Sequence, residues 1–146
     1  MIAVNLYLAR LKIYLGAIGR GKGFFKRGNY LFKRFVVCFL SAFALHQATE
    51  SLYSTILLVS SNYKPKLHNL QELGSMAGNY DNELWSVFLQ LTEEQKKCFE
   101  FLEKAYVDAR YDKNYKITKE QLFCLIERIE KLKEITARIC TARINP

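Results

Sequence analysis

The chain has 146 residues, half of them hydrophobic and 14% aromatic, and carries a formal net charge of +8. That length suits one domain with a real core, and that apolar content excludes a disordered chain. With only two prolines and seven glycines, and with long periodic stretches between them, the chain reads as all-helical.

The charge is unevenly placed. Residues 1–49 hold eight Lys or Arg and no acid; the first acid is Glu50, after which fourteen basic residues balance fourteen acidic ones. A basic arm of this kind suits RNA, DNA or anionic lipid, or forms a solvated helix face and a loose terminus. A first helix is expected over about residues 3–15, broken by "GAIGRGKG" at 16–23. Gly16 and Gly21-Lys22 match the opening of a phosphate-binding loop, but Gly23 stands where the magnesium-binding hydroxyl belongs, and no strand–turn–helix pattern surrounds it. Nucleotide hydrolysis at this loop is therefore not expected.

"FFKRGNYLFKRF" (24–35) predicts a short helix with a turn at Gly28-Asn29, followed by a long helix from Tyr30 to about Ser61, a stretch free of proline and glycine. Its run "FVVCFLSAFAL" (35–45) is too short for a bilayer crossing, which needs about 20 apolar residues. No membrane span and no secretory leader is expected, and a helix buried in a bundle accounts for the run better. Further along, His46, Glu50 and Tyr53 stand at i, i+4 and i+7, hence on one helix face. A histidine and a glutamate facing a bundle interior need partners. Arg110 is the expected partner of Glu50.

"NYKPKLHNL" (62–70) is a stop, because the residue before Pro65 is pushed out of helical geometry. His68 in that stretch is read as a brace of the loop. Short helices are expected over 69–77, ending at Gly78, and over about 81–89. "TEEQ" (92–95) has the form of a capping box and opens a helix whose apolar stripe is Phe99, Leu102, Ala105, Tyr106 and Ala109. "TKEQ" (118–121) repeats the device before the last helix, with Leu122, Leu125, Ile126, Ile129, Leu132 and Ile139 inward. Glu127–Lys131 and Glu130–Glu134 are expected outward, the first a favourable pair and the second a mildly unfavourable one.

Between these helices, "AYVDARYDKNYKIT" (105–118) brings Arg110 together with Tyr106, Tyr111 and Tyr115. A guanidinium pairs bidentately with phosphate or carboxylate, and tyrosines stack on bases or pack in a core. The four cysteines, Cys38, Cys98, Cys124 and Cys140, show no short-range pairing and lie among apolar residues. They read as reduced, small hydrophobes of a cytoplasmic protein, and with only two histidines no metal site is expected.

The "HQATE" helix, the "KPKLHNLQEL" loop and the "ARYDKNY" helix end, in that order and spacing, resemble the HEPN domain, from about Phe24 to Cys140. The resemblance implies an antiparallel up-and-down bundle of four to five helices over residues 24–146, preceded by a variable basic leader over residues 1–23. It also implies a prokaryotic, cytoplasmic homodimer. Many such domains are metal-independent ribonucleases with an arginine and a histidine, four to six residues between them, at the dimer seam. Here Arg110 is followed at the corresponding positions by Tyr115, Lys116 and Ile117, and no histidine follows at all. Tyrosine, with an ordinary pKa of about 10, is a poor base at neutral pH.

The resemblance therefore implies a non-catalytic domain that binds nucleotide or pairs with a minimal nucleotidyltransferase on a separate chain, as in a toxin–antitoxin-like module. No transferase signature occurs in this chain. The ligand-binding candidates are Arg110, Tyr115, Tyr111, His46 and Glu50, with no cofactor and no metal. Tyr111 and Tyr115 are also candidate acceptors of a nucleotidyl group. The alternative is a ribonuclease toxin acting at a dimer interface with Arg110 and His46. A third reading is a structural or membrane-surface protein using the basic, apolar first 45 residues.

Overall fold

The computed structural model describes residues 27–107 and 115–145, with side chains from residue 40 onward. Among the described residues there are four α-helices, one 3-10 helix and no strand, so the chain is all-α as expected. The helices are α1 (Arg27–Ser61), α2 (Leu70–Gly78), α3 (Glu93–Lys104) and α4 (Lys119–Ile144), with the 3-10 helix at Asn82–Ser86 between α2 and α3.

The turn expected at Gly28-Asn29 does not form: α1 runs through both residues. Glycine inside a helix costs only about 1 kcal/mol relative to alanine, and the apolar run downstream favours one continuous element. At its other end α1 stops where the sequence indicates. Asn62 takes a left-handed conformation with φ 57°, and its N–H donates to the Leu58 carbonyl at 2.9 Å. Asparagine tolerates that conformation better than other residues with a side chain. Pro65 is buried in the extended loop that follows.

That loop makes the return along α1, bringing His68 beside Glu50. Asn69 then caps α2, its side chain accepting from the Glu72 N–H at 3.0 Å, and Leu70, Leu73 and Ala77 form the buried stripe of the helix. The helix expected over 81–89 shortens to the 3-10 helix, opened by Asp81, whose side chain accepts from the Glu83 N–H. Gly78 at the end of α2 lies directly under the Trp85 indole. A Cβ there would fall 2.5 Å from Trp85 Cε2, so a bare Cα is what lets the ring sit down on the helix.

Both capping boxes form as read. Thr92 and Gln95 exchange hydrogen bonds at 3.2 Å each, and Thr118 and Gln121 do so at 2.9 and 3.1 Å. The helix after the first box ends at Lys104, earlier than the stripe suggests; Ala105, Tyr106 and Val107 form a turn, and Ala109 lies outside the described residues. Along α4, Leu122, Leu125, Ile126, Ile129, Leu132 and Ile135 are buried at the three- and four-residue spacing of one helix face, and Ile139 is partly buried against the same core. Glu127, Lys131 and Glu134 are exposed as expected, while Glu130 is half-buried.

Contacts fix the directions of the main helices. Phe43 and His46 meet Tyr106 while Tyr53 shares a cleft with Phe99, so α1 and α3 are antiparallel. The Cys98 thiol faces Cys124 while Phe101 meets Tyr115, so α3 and α4 are antiparallel as well. Burial first, and that cysteine neighbour second, push the Cys98 thiol above its ordinary range. Cys98, Cys124 and Cys140 are free and half-buried. Among the described residues no helix is long and apolar enough to cross a membrane.

The balance between core and caps is testable. Leu125 is fully buried, so Leu125→Ala is expected to cost about 2–5 kcal/mol. Thr118→Ala, which removes one cap, is expected to cost only about 1 kcal/mol. Urea denaturation of both variants checks the order.

Candidate functional site

The polar residues of α1 converge where the 62–69 loop and the end of α3 reach them. His46, Glu50 and Tyr53 do share one face: His46 is fully buried, Tyr53 is 3% exposed, and the Glu50 side chain is 17% exposed. The His68 ring places Nδ1 3.1 Å from Glu50 Oε2. An ionised carboxylate only accepts, so Nδ1 carries a proton and Nε2 stands at the open edge of a ring that is more than half exposed. The same carboxylate oxygen lies 3.8 Å from His46 Nδ1, within electrostatic range but too far for a hydrogen bond.

Tyr106 closes the cluster from the turn after α3. Its ring lies nearly parallel to that of His68, with centroids 4.6 Å apart and planes 11° from parallel. It also touches His46 at 5.3 Å and stacks on Phe43 at 6.1 Å. The exposed imidazole is thus held in two ways, by a carboxylate at Nδ1 and by an aromatic ring on its face.

His46 is placed differently. Among the described residues neither ring nitrogen has a hydrogen-bond partner of good geometry. Burial lowers its pKa below the ordinary 6.5; the nearby Glu50 carboxylate and the His68 main chain offset this only in part, and the His68 ring adds to the lowering. Burial thus favours the neutral imidazole at His46.

Of the residues singled out by sequence, His46 and Glu50 are brought together here. Tyr115 is not with them. It is buried, its hydroxyl donates to the Phe101 carbonyl at 2.6 Å, and its ring meets Phe101 edge-on. That carbonyl is among the last four of α3, which lack partners inside the helix, so Tyr115 acts as a cap. Arg110 and Tyr111 lie outside the described residues, as does the glycine-rich segment at 16–23. Among the described residues Glu50 is hydrogen-bonded by His68, the residue that sequence reading assigned only to bracing its loop. Tyr106 was legible as an aromatic near Arg110, but its stacking partner was not. No periodicity marks residues 62–69, and the contact depends on the path of the loop.

Comparison with known families matches residues 18–139 to the HEPN domain. The chain belongs to the HEPN domain family. The match begins at residue 18, inside the 1–23 segment set aside as a leader. No curated protein matches the chain. In this HEPN domain the cluster draws on two of the sequence pieces that suggested the family and on the turn before the third. His46 and Glu50 come from "HQATE", His68 from "KPKLHNLQEL", and Tyr106 from the turn after α3.

The buried imidazole gives the HEPN domain a pH dependence of known sign. Folding depresses the pKa of His46, so below about pH 6.5 the unfolded chain binds more protons than the folded one and stability falls with pH. One such group contributes a slope of at most about 1.4 kcal/mol per pH unit. The groups facing it, Glu50 and His68, remain in His46→Leu. That variant is expected to lose this slope between about pH 6.5 and pH 5, as read by urea denaturation across the range.

Proposed function

We propose that this HEPN domain is a non-catalytic nucleotide-binding module that pairs with a minimal nucleotidyltransferase carried on a separate chain, and that its ligand meets the His68–Tyr106 face. The observation that supports this most directly is the half-exposed His68 ring, stacked on Tyr106 at 4.6 Å and tied through Nδ1 to Glu50. A planar ring held in place loses little freedom when a base stacks on it, and stacking of that kind is worth about 1–3 kcal/mol. His68 Nε2 offers a hydrogen-bonding edge beside that face. Arg110, four residues beyond Tyr106 in sequence, supplies a guanidinium suited to phosphate. The absence of a histidine after Arg110 supports a binding role over cleavage.

Titration of the purified protein with ATP, GTP and AMP tests the reading. Binding is expected with at least one of them, weakened about tenfold by His68→Ala, which removes stacking worth about 1.4 kcal/mol or more. Glu50→Gln is expected to weaken it less. Absence of binding to all three, together with absence of a complex with a co-expressed nucleotidyltransferase, overturns it.

One observation favours a second reading. An exposed imidazole with Nδ1 on a carboxylate and Nε2 open is the arrangement of an oriented general base, so His68 rather than buried His46 is the imidazole positioned to act in a ribonuclease. Cleavage of labelled RNA, abolished by both His68→Ala and Arg110→Ala, would favour that reading. Cleavage that survives both substitutions would remove this site from it.

A further inference from the structure

A second concavity shares no residue with the His68 cluster. It lies between α1, α2, the 3-10 helix and α3 and opens to solvent. Its deep part is buried, aromatic and aliphatic, and its mouth carries the exposed amides of Gln71 and Gln90. No charged side chain lines it.

Two features mark it as more than a gap in packing. The first is Tyr53, which is 3% exposed and whose hydroxyl has no hydrogen-bond partner among the described residues. Burial alone raises its pKa well above the ordinary value of 10, which keeps the hydroxyl a neutral donor. The space at this hydroxyl exists because residue 74 is glycine. A Cβ there would sit 3.3 Å from both Tyr53 Cζ and the hydroxyl oxygen. The hydroxyl is not among the sealed atoms that lack a partner, and it lines the cleft, so a ligand acceptor can take the place of water there.

The second feature is Trp85, the single tryptophan of the chain, which is 53% exposed and forms a wall of the cleft. Its indole is seated on Gly78, so it presents a fixed aromatic surface. With Phe88 and Phe99 also lining the cleft, the walls suit a flat ring. The lack of charge excludes a phosphate or carboxylate as the recognised group.

We propose that this cleft binds a small, uncharged heteroaromatic ring that lies against Trp85, accepts a hydrogen bond from the Tyr53 hydroxyl, and meets the amides of Gln71 and Gln90 at its outer edge. This site does not rest on the nucleotide-binding reading of the His68 face.

Trp85 reports on the cleft directly. Nicotinamide, a neutral single ring with an amide, serves as the probe, and toluene serves as a ring without an acceptor. Nicotinamide is expected to change Trp85 emission saturably and to shift the indole N–H resonance. Tyr53→Phe, which keeps the ring and removes the donor, is expected to weaken nicotinamide binding about three- to tenfold, the value of one neutral hydrogen bond. It should leave toluene binding unchanged. Gly74→Ala, which crowds the hydroxyl, is expected to weaken nicotinamide binding as well. A strictly linear, collisional quench through the millimolar range overturns the proposal. So does saturable binding that Tyr53→Phe leaves untouched.

Discussion

Glu50 is the first negative charge in the chain, and it stands on a largely buried part of its helix. A carboxylate in that position needs a partner, because its lost hydration must be replaced by a hydrogen bond or an opposite charge. His68 supplies the hydrogen bond, and to do so the loop after α1 must run back along the helix instead of leaving it. The rest of the arrangement follows. With His68 seated at Glu50, Asn69 is placed to cap α2, α2 carries Gly74 to Tyr53, and the turn after α3 sets Tyr106 against the His68 ring. The polar cluster and the aromatic cleft are thus two consequences of one loop path.

The 3-10 helix depends on a different set of contacts. Arg128, Lys131 and Arg138 lie along α4. Arg128 donates to the Val87 carbonyl at 2.9 Å, Lys131 donates to Ser86 Oγ at 3.2 Å, and Arg138 bridges Asp81 and Glu83 at 2.8 and 2.7 Å. Exposed ion pairs are individually weak. Here three cations act on one short element, with Leu84 and Val87 buried beneath it. The combination of an apolar anchor below and polar ties at the side fixes an element too short to hold its own shape. Because that element carries Trp85, the form of the cleft rests on the outer face of α4 as much as on the core.

What was legible in the sequence was local. Two Thr-x-x-Gln boxes, the stripe from Leu122 to Leu132 and the stop around Pro65 each depend on interactions within a few residues, and each appears where it was read. The errors lie where a local signal was outweighed. Gly28 is a helix breaker by propensity, yet a long apolar helix absorbs it. For Tyr115 the sequence left stacking on a base and packing in the core open, and the carbonyl of Phe101 at the end of α3 draws it inward. For the site, the 3.6-residue period placed His46 and Glu50 on one face correctly. It carried no information about His68, eighteen residues beyond Glu50, whose position is set by an extended loop.

The two imidazoles show how one carboxylate produces unlike environments. Both face Glu50 Oε2, at 3.1 and 3.8 Å. The nearer ring is exposed, so water solvates its far edge while the carboxylate fixes its near one. The farther ring is sealed, so the attraction of Glu50 is set against complete loss of hydration, and desolvation is the larger effect. The outer histidine is consequently oriented and accessible, whereas the inner one is neutral and strained for partners. Removing Glu50 would release the first and leave the second with only the His68 main chain to offset its burial. The carboxylate, rather than either imidazole, is therefore the residue through which the loop, the aromatic stack and the buried ring are coupled.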